Sequence, residues 1–227
     1  MKTQALKGMR ALLPALGHID MALVGEPTGM QAAAGERGLV VLDCTAHGKS
    51  GHAARGEGVN ALYIALEDIA RLRSFRFERE SALLGPVGIA VTQIEAGTQH
   101  NVVPDTCRFV ADIRTTDAYT NEETVEILRA AIQSDAVPRS TRIRASALGA
   151  EHPLMRAARA AGRTSYVSPT TSDMALMPFP SLKMGPGQSS RSHTADEFVL
   201  LTEIGEGIAV YENYIEKLAL EYGKTLG

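Results

Sequence analysis

The chain has 227 residues, of which 44% are hydrophobic and 22% are charged, and this ordinary globular composition fits one or two domains with a buried core. Lys and Arg number 23 against 26 Asp and Glu, which gives a net charge of −3 without a basic block, so nucleic acid is not an expected partner. No apolar run approaches ~18 residues, so we expect no membrane span and no membrane partner, and Cys44 and Cys107, which form no CxxC pair, are typical of a reduced, cytoplasmic protein.

Apolar residues recur at helical spacing in some segments and alternate with polar residues in others. This periodicity is the main signal for helices and strands. We predict helices over 4–16, 60–73, 121–134, 153–162 and 202–220, and strands over 20–24, 39–46, 87–91, 107–113, 143–147 and 181–184.

The middle of the chain reads as a domain of its own. From residue 36 to 149 the predicted order is β-α-β-β-α-β, which is the ferredoxin-like arrangement. The segments on either side, 1–35 and 150–227, are α/β in character and have too few strands for a good sheet alone. We therefore predict an α/β protein in which a small βαββαβ domain is inserted into a second, incomplete α/β domain.

Two residues in the flanking segments are candidate metal ligands. Glu26 follows a buried strand, and ligands of open α/β sheets bind at the carboxyl ends of strands. His193 lies in a polar, Gly-rich loop, and neutral imidazole is the commonest protein ligand for zinc. The alternatives are a turn carboxylate and an exposed histidine ahead of a helix cap.

Three residues of the inserted domain could meet a substrate. His52 lies among glycines after the first strand of the domain, and Asn101 lies in a loop with hydrogen-bonding side chains. Arg114 ends a strand, and its guanidinium could bind a carboxylate through two hydrogen bonds. The alternatives are an exposed loop histidine, ordinary turn chemistry, and a surface salt bridge from Arg114 to Asp112 or Asp117.

The segment TTSD at 170–173 has the composition of a helix N-cap. Its backbone N–H groups would favour an anion nearby, although capping alone also explains the composition.

Taken together, these segments resemble one family. They are VGEPT at 24–28, GKSGHAA at 48–54, GTQHNVVP at 97–104, DIR at 112–114, TTSD at 170–173 and GPGQSSRSHTADE at 185–197. In this order they are similar to the motifs of zinc metallohydrolases of the acetylornithine deacetylase and succinyl-diaminopimelate desuccinylase family, peptidase family M20. The spelling around His100 and His193 looks closest to acetylornithine-deacetylase-like members.

The resemblance implies a role for each candidate. Glu26 and His193 would each be a terminal ligand, one on each of two zinc ions, with cobalt or manganese as possible substitutes. His52 would stabilise the oxyanion across a homodimer interface, through which the inserted dimerisation or lid domain pairs. The remaining residues would contact the substrate, an N-acyl amino acid such as N-acetyl- or N-succinyl-ornithine or -citrulline of arginine biosynthesis: Asn101, Arg114, Ser172, Asp173 and Gly185.

The chain also departs from the family pattern. The H-x-D motif, bridging Asp and Glu-Glu pair of the family's N-terminal part, which provide the other ligands and the general base, are not found; His18 and Asp20 spell H-x-D at a position where the family has none. We therefore expect a partial or degenerate homologue without activity of its own. A non-catalytic dimerisation module is one alternative, and a desuccinylase or dipeptidase of the same family is another.

Overall fold

The structure is a computed structural model that describes residues 6–192 and 194–226. These residues form two compact units. Residues 38–144 form one, here called the inserted unit. The described residues up to 37 and from 145 onwards form the other, here called the flanking unit.

Helices and strands alternate along the described residues. The α-helices are α1 (Leu6–Leu12), α2 (Ala61–Ser74), α3 (Asn121–Ala131), α4 (Pro153–Ala160) and α5 (Leu201–Leu226), with short 3-10 helices at Leu13–Ala15, Ala53–Arg55, Asp173–Leu176 and Ser189–Arg191. The strands are β1 (Ala22–Val24), β2 (Ala32–Glu36), β3 (Val40–His47), β4 (Gly51–His52), β5 (Gly88–Ala96), β6 (Val102–Val103), β7 (Thr106–Arg114), β8 (Asp135–Pro138), β9 (Ser146–Ala147), β10 (Ser165–Ser168) and β11 (Ser181–Lys183).

The inserted unit has the predicted ferredoxin-like fold. Its sheet has the order β5-β7-β3-β8, and every neighbouring pair is antiparallel. Helix α2 follows β3 and helix α3 follows β7, which completes the βαββαβ order. The α/β fold class and the inserted βαββαβ arrangement predicted from the sequence are confirmed.

One face of this sheet packs against α2 and α3. Alternate residues of β3 and β7 point into the core, among them Leu42, Phe109 and Ile113, and meet Leu72 and Leu128 of the helices. The same period-2 pattern places the intervening side chains on the other face.

Both helices of this unit begin at a capping side chain. Asn60 accepts a hydrogen bond from the Leu62 amide at the start of α2, and Thr120 and Glu123 form a reciprocal capping box at the start of α3.

The last strand of the inserted unit is not the predicted one. We expected it at 143–147, but the fourth strand of the sheet is β8, Asp135–Pro138, and residues 146–147 belong to the sheet of the flanking unit. The prediction is wrong because β8 is short and contains Asp and Pro, which are rare in strands. Pro is tolerated there because β8 is an edge strand.

The outer side of β8 is partly covered. Arg139 donates its amide to Val41, so the groups of Arg139 and Val137 face β3, and those of Ala136 and Pro138 face outward. The Ala136 carbonyl accepts from Nε of Arg129 on α3 at 2.8 Å, and Pro138 has no N–H.

The sheet of the flanking unit has the order β1-β11-β2-β10, with β9 also paired to β2. Strands β1 and β11 are parallel, and so are β2 and β10, but β11 and β2 are antiparallel. The two parallel pairs therefore point in opposite directions. Strands β1 and β11 end at one edge of the sheet, and β2 and β10 end at the other.

Helices α4 and α5 pack against this sheet. Leu154 and Ala157 of α4 and Tyr214 of α5 are fully buried with Ala32 and Leu182 of the strands. The Tyr214 hydroxyl donates to the Leu154 carbonyl, so the one polar atom of this buried ring has a partner.

Strands β2 and β10 of this sheet were not predicted. The sequence of β2, AAAGE, has no β-branched or aromatic residue, and all five residues are buried. A strand that is buried on both faces lacks the alternation that sequence analysis depends on.

No helix within the described residues is long and apolar enough to cross a bilayer.

A buried carboxylate ties the two helices of the inserted unit together. Asp68 of α2 is 0% exposed and accepts hydrogen bonds from the amides of Gln133 and Ser134 and from the Ser134 hydroxyl. These donors lie in the turn between α3 and β8. Asp68 thus fixes the path by which the chain enters its last strand.

We expect Asp68→Ala to lower the free energy of unfolding by about 3 kcal/mol, because it leaves the amides of Gln133 and Ser134 and the buried Ser134 hydroxyl without an acceptor. Urea denaturation followed by circular dichroism measures the loss. Glu67→Ala is the matched control, since the Glu67 side chain is 64% exposed. Equal unfolding midpoints for the two variants would show that the Asp68 hydrogen bonds contribute nothing.

Because Cys44 in β3 is buried, the free energy of unfolding changes with pH in the alkaline range. Burial, together with the charges of Asp43 and Asp68, raises the pKa of the thiol from 9.0 to about 12. Above pH 9 the unfolded chain loses this proton while the folded chain keeps it, so the free energy of unfolding falls as pH rises, by up to about 1.4 kcal/mol per pH unit. Urea midpoints measured across this range should fall less steeply for Cys44→Ala. Identical slopes for the two proteins would contradict the assignment.

Candidate functional site

Glu26 and Gly185 meet at one edge of the sheet of the flanking unit. Strands β1 and β11 run parallel with Val24 beside Lys183, so the residues that follow both strands emerge side by side. A Cβ atom built on Gly185 would lie 2.6 Å from the Glu26 carbonyl oxygen and 3.0 Å from its amide nitrogen. Only glycine permits this approach of the two backbones.

Thr28 locks the two loops together. Its amide donates to the Gly185 carbonyl at 3.1 Å, and its hydroxyl accepts from the Gly185 amide at 3.1 Å. The Met30 amide donates to the same carbonyl at 3.0 Å. The turn that carries Glu26 is thus held against the residues that follow β11 by hydrogen bonds of Thr28 and Met30.

The environment of the Glu26 carboxylate suits a ligand-binding group. The residue is half-buried and lies at the carboxyl ends of two parallel strands, where open α/β sheets bind ligands. A pocket of about 280 Å³ touches the next residue, Pro27, and is also lined by Pro186, Gly187, Gln188, Arg191, Ser192, Glu197, Phe198 and Val199.

His193, the second predicted metal ligand, lies outside the described residues. The residues around it are held in place by side-chain contacts. The Arg191 guanidinium is 2.7 Å from the Glu203 carboxylate and 4.7 Å from the centre of the Phe198 ring, and the Thr194 hydroxyl donates to the Arg191 carbonyl. The Glu26–His193 separation expected from the resemblance, roughly 8 Å, therefore stays a prediction.

The described residues do not make a metal site by themselves. Among residues 6–192 and 194–226, no group of three or more His, Cys, Asp or Glu side chains could hold a metal ion. Carboxylate and imidazole are suitable zinc ligands, so Glu26 and His193 fit the metal chemically, but two donors fall short of a four-coordinate site.

The structure brings His52 and Asn101 together in the inserted unit. Strands β4 and β6 pair with His52 opposite Val102, and the Ala53 amide donates to the Asn101 carbonyl at 3.0 Å. His52 is exposed, and its Nδ1 accepts from the Ala54 amide at 3.2 Å, so Nε2 is the ring nitrogen that could bind another partner. Two side chains predicted from separate motifs thus lie on one ribbon.

Arg114 forms the salt bridge that the sequence left open as an alternative. It lies on the face of the inserted sheet away from the helices, and its Nε and Nη2 donate to the two oxygens of Asp112 at 2.6 and 3.1 Å. Both side chains are partly exposed, so a ligand carboxylate could compete with Asp112 for the guanidinium.

Ser172 belongs to a buried network that sequence analysis missed. Its amide and hydroxyl both donate to the Glu36 carboxylate, and the Lys183 ammonium lies 3.1 Å from the same carboxylate. Lys183 also donates to the carbonyl and hydroxyl of Thr170. A lysine inside the apolar run SLKM was the only signal of this network in the sequence. The hydroxyl proton of Ser172 is committed to Glu36, and its role as a substrate contact stays a prediction.

Asp173 comes directly after this network and begins a 3-10 helix that Ser172 caps. Burial, together with the negative charge of Glu36, raises the pKa of the Asp173 carboxyl. The segment follows β10, which ends at the opposite edge of the sheet from β1 and β11. The resemblance implies that residues 170–173 lie at the same end of the strands as Glu26. They instead follow a strand that ends on the opposite side, and the Lys183 side chain, two positions before Gly185, hydrogen-bonds to Thr170.

Comparison with known proteins agrees with this architecture. Residues 34–140 match the M20 peptidase dimerisation domain. Over 134 residues the chain is 32% identical to succinyl-diaminopimelate desuccinylase of Paracoccus denitrificans, covering 54% of this chain and 35% of that protein. Over 219 residues it is 25% identical to acetylornithine deacetylase of Vibrio parahaemolyticus, covering 87% of this chain and 57% of that protein.

Solved structures show the same fold. Aminopeptidase PepT of Bacillus cereus superimposes with a TM-score of 0.74 at 21% identity, over 96% of this chain and 62% of that one. The YXEP protein of Bacillus subtilis, described as a dinuclear metal-binding peptidase of the M20 family, superimposes with a TM-score of 0.62 at 17% identity, over 95% of this chain and 61% of that one.

The chain spans between about a third and three fifths of the length of these proteins. Residues 34–140 therefore form an M20 peptidase dimerisation domain, and the chain is similar in sequence to succinyl-diaminopimelate desuccinylases and acetylornithine deacetylases.

Proposed function

We propose that this chain is part of a metal-dependent amide hydrolase that removes the acyl group from an N-acyl amino acid, such as N-acetyl- or N-succinyl-ornithine or -citrulline, in arginine biosynthesis. The observation that carries the proposal is the position of Glu26. It follows a strand whose parallel neighbour leads into Gly185, and the two backbones are too close for any other residue at position 185. The names of the sequence relatives support the reaction class.

Glu26 and His193 are the proposed metal ligands, with further donors supplied from outside the described residues. Two zinc ions at such a site would polarise the acyl carbonyl and provide a water of lowered pKa. This chain would hold the Glu26 carboxylate at the strand end, because the Thr28–Gly185 hydrogen bonds fix the turn that carries it.

The inserted unit would contribute the remaining contacts. His52 would donate a hydrogen bond from Nε2 to the oxyanion of a substrate bound to a second subunit. Asn101, whose carbonyl bonds to the residue after His52, would orient the substrate. Arg114 would exchange Asp112 for a substrate carboxylate, which offers the same two acceptor oxygens. In the flanking unit, Ser172, Asp173 and Gly185 would line the substrate site.

Two other functions have an observation in their favour. Desuccinylation of succinyl-diaminopimelate is favoured by the name of the Paracoccus relative. A non-catalytic dimerisation module is favoured by the match of residues 34–140 to the M20 peptidase dimerisation domain.

Zinc binding tests the proposal. Calorimetric titration of the chain should show zinc binding that weakens by at least about tenfold in Glu26→Gln and in His193→Ala, because each removes a ligand. Glu57→Gln, at an exposed glutamate of the inserted unit, is the control and should leave the affinity unchanged. Zinc affinity that neither ligand variant alters would defeat the metal assignment.

The same protein should not hydrolyse amides by itself, because two donors do not complete the site. We expect release of ornithine from N-acetyl- or N-succinyl-ornithine by the zinc-loaded chain at no more than the rate of its His193→Ala variant. Turnover well above that variant would show that the chain already holds the missing groups.

Gly185→Ala should displace the Glu26 turn, because the new Cβ would lie 2.6 Å from a backbone oxygen. We expect the free energy of unfolding to fall by about 1–3 kcal/mol, as for other forced overpacking, and zinc affinity to fall with it. Gly205→Ala is the matched control, since nothing lies within 4 Å of its Cβ position and alanine favours the helix. Unchanged stability and zinc affinity in Gly185→Ala would contradict the close contact.

We also propose that the inserted unit forms a homodimer through α2 and the edge strand β5. Tyr63 and Leu66 of α2 are 64% and 49% exposed, and Ile94 on β5 is 49% exposed although it pairs with the core residue Phe109. An exposed strand edge can be covered by pairing with a symmetry-related copy.

Light scattering at micromolar concentration should give the mass of a dimer for the chain and of a monomer for Leu66→Lys. Val137→Lys, at a residue 59% exposed on the opposite edge strand β8, should remain dimeric. A strictly monomeric parent chain, or equal behaviour of the two variants, would defeat the assignment.

A further inference from the structure

The most completely buried ion pair of the flanking unit has no role in the function proposed above. The Glu36 side chain is 0% exposed and the Lys183 side chain 3% exposed, and they lie on β2 and β11 with 3.1 Å between Oε2 and Nζ. Withdrawing two charges from water is costly, and an apolar pair of similar volume is often as stable or more so. Stability alone is therefore a weak reason for this pair.

The other hydrogen bonds of the pair go to a single segment. Glu36 accepts from the Ser172 amide at 3.0 Å and from the Ser172 hydroxyl at 2.8 Å. Lys183 donates to the Thr170 carbonyl at 2.9 Å and reaches the Thr170 hydroxyl at 3.4 Å. Within the described part of the chain, the other hydrogen-bond partners of these two side chains thus all lie in residues 170–172.

This segment has little structure of its own. It lies between β10, which ends at Ser168, and the 3-10 helix that begins at Asp173. Its local hydrogen bonds are those of Ser168 with Thr170 and those that Ser172 accepts from the Met174 and Ala175 amides. The hydrogen bonds that join it to β2 and β11 are those made by Glu36 and Lys183.

We propose that Glu36 and Lys183 are positioning residues for the 170–173 segment, which they hold so that the Asp173 side chain keeps a fixed place beside the sheet. That the segment meets the substrate rests on the function proposed above, whereas the positioning itself does not. The Asp173 carboxyl, half-buried at the end of the segment, is the group whose place the pair determines.

The pair acts through hydrogen-bonding capacity as well as charge. Lysine has three donors, and they go to Glu36 and to the two oxygens of Thr170. The carboxylate receives both donors of Ser172 together with one from Lys183. A hydrophobic pair could fill the same volume, but it would leave the Ser172 amide without its acceptor and would remove one of the two donors to the Thr170 carbonyl.

Hydrogen exchange in the full chain separates positioning from stability. We expect Glu36→Leu combined with Lys183→Met to keep the urea midpoint close to that of the parent, while the amides of 170–173 exchange at least about tenfold faster. A peptide covering α4 in the same protein should exchange at the parent rate. Glu36→Gln combined with Lys183→Met keeps an acceptor for Ser172 without the charges, and should restore most of the protection.

Ser181→Ala is the matched control. Ser181 is buried in the same strand, two residues before Lys183, but its hydroxyl bonds to Phe179 and Met177. It should leave exchange in 170–173 unchanged. If the apolar double variant does not fold, Glu36→Asp serves instead, since it keeps the charge balance and withdraws the carboxylate by one methylene, and faster exchange is again expected.

Parent-like exchange of residues 170–173 in the apolar double variant, or in Glu36→Asp, would overturn the proposal and leave the pair as an ordinary part of the core. The measurement needs neither metal nor substrate. Failure of zinc binding would therefore leave this result standing, and failure of this result would leave the zinc assignment untouched.

Discussion

A charged lysine inside a β-sheet has to find an acceptor for each of its hydrogens, and the arrangement of the flanking unit follows from how Lys183 does so. Its strand is three residues long and lies between a parallel and an antiparallel neighbour. The ammonium binds Glu36 on the antiparallel neighbour and also Thr170, which follows β10. The strand ends at Lys183, and two positions later Gly185 lies against the turn that carries Glu26. One short strand therefore fixes both candidate segments of this unit.

The sequence predicts where strands end, but it does not predict which strand ends contact each other. Glu26 and Gly185 stand out because each follows a recognisable strand and sits in a Gly- and Pro-containing loop. Their contact could not be predicted, because it depends on which strands are neighbours. Glu36 and Lys183 were missed for a related reason. Each is a single charged residue whose burial depends on a partner more than a hundred positions away, and periodicity carries no information on such pairs.

The same distinction explains the fold. Strands β3 and β7 and helices α2 and α3 were predicted because each buries one face and leaves the other in solvent, which produces a regular pattern. Strand β2 is buried throughout, and β8 is a short edge with Asp and Pro, so neither has such a pattern. Strand β8 is instead specified by its surroundings: Asp68 holds the turn before it, and Arg129 holds its outer carbonyl.

The two edge strands of the inserted sheet differ in whether a further strand can pair with them. On β8, the outward carbonyl of Ala136 is occupied by a guanidinium and Pro138 offers no hydrogen, so an added strand would find little to bind there. On β5, eight of the nine residues pair with β7, and the strand has no other neighbour among the described residues. Strand addition is thus open on one side and blocked on the other. A sheet with one open side is completed by a single partner, whereas a sheet open on both sides could extend without limit into a fibre.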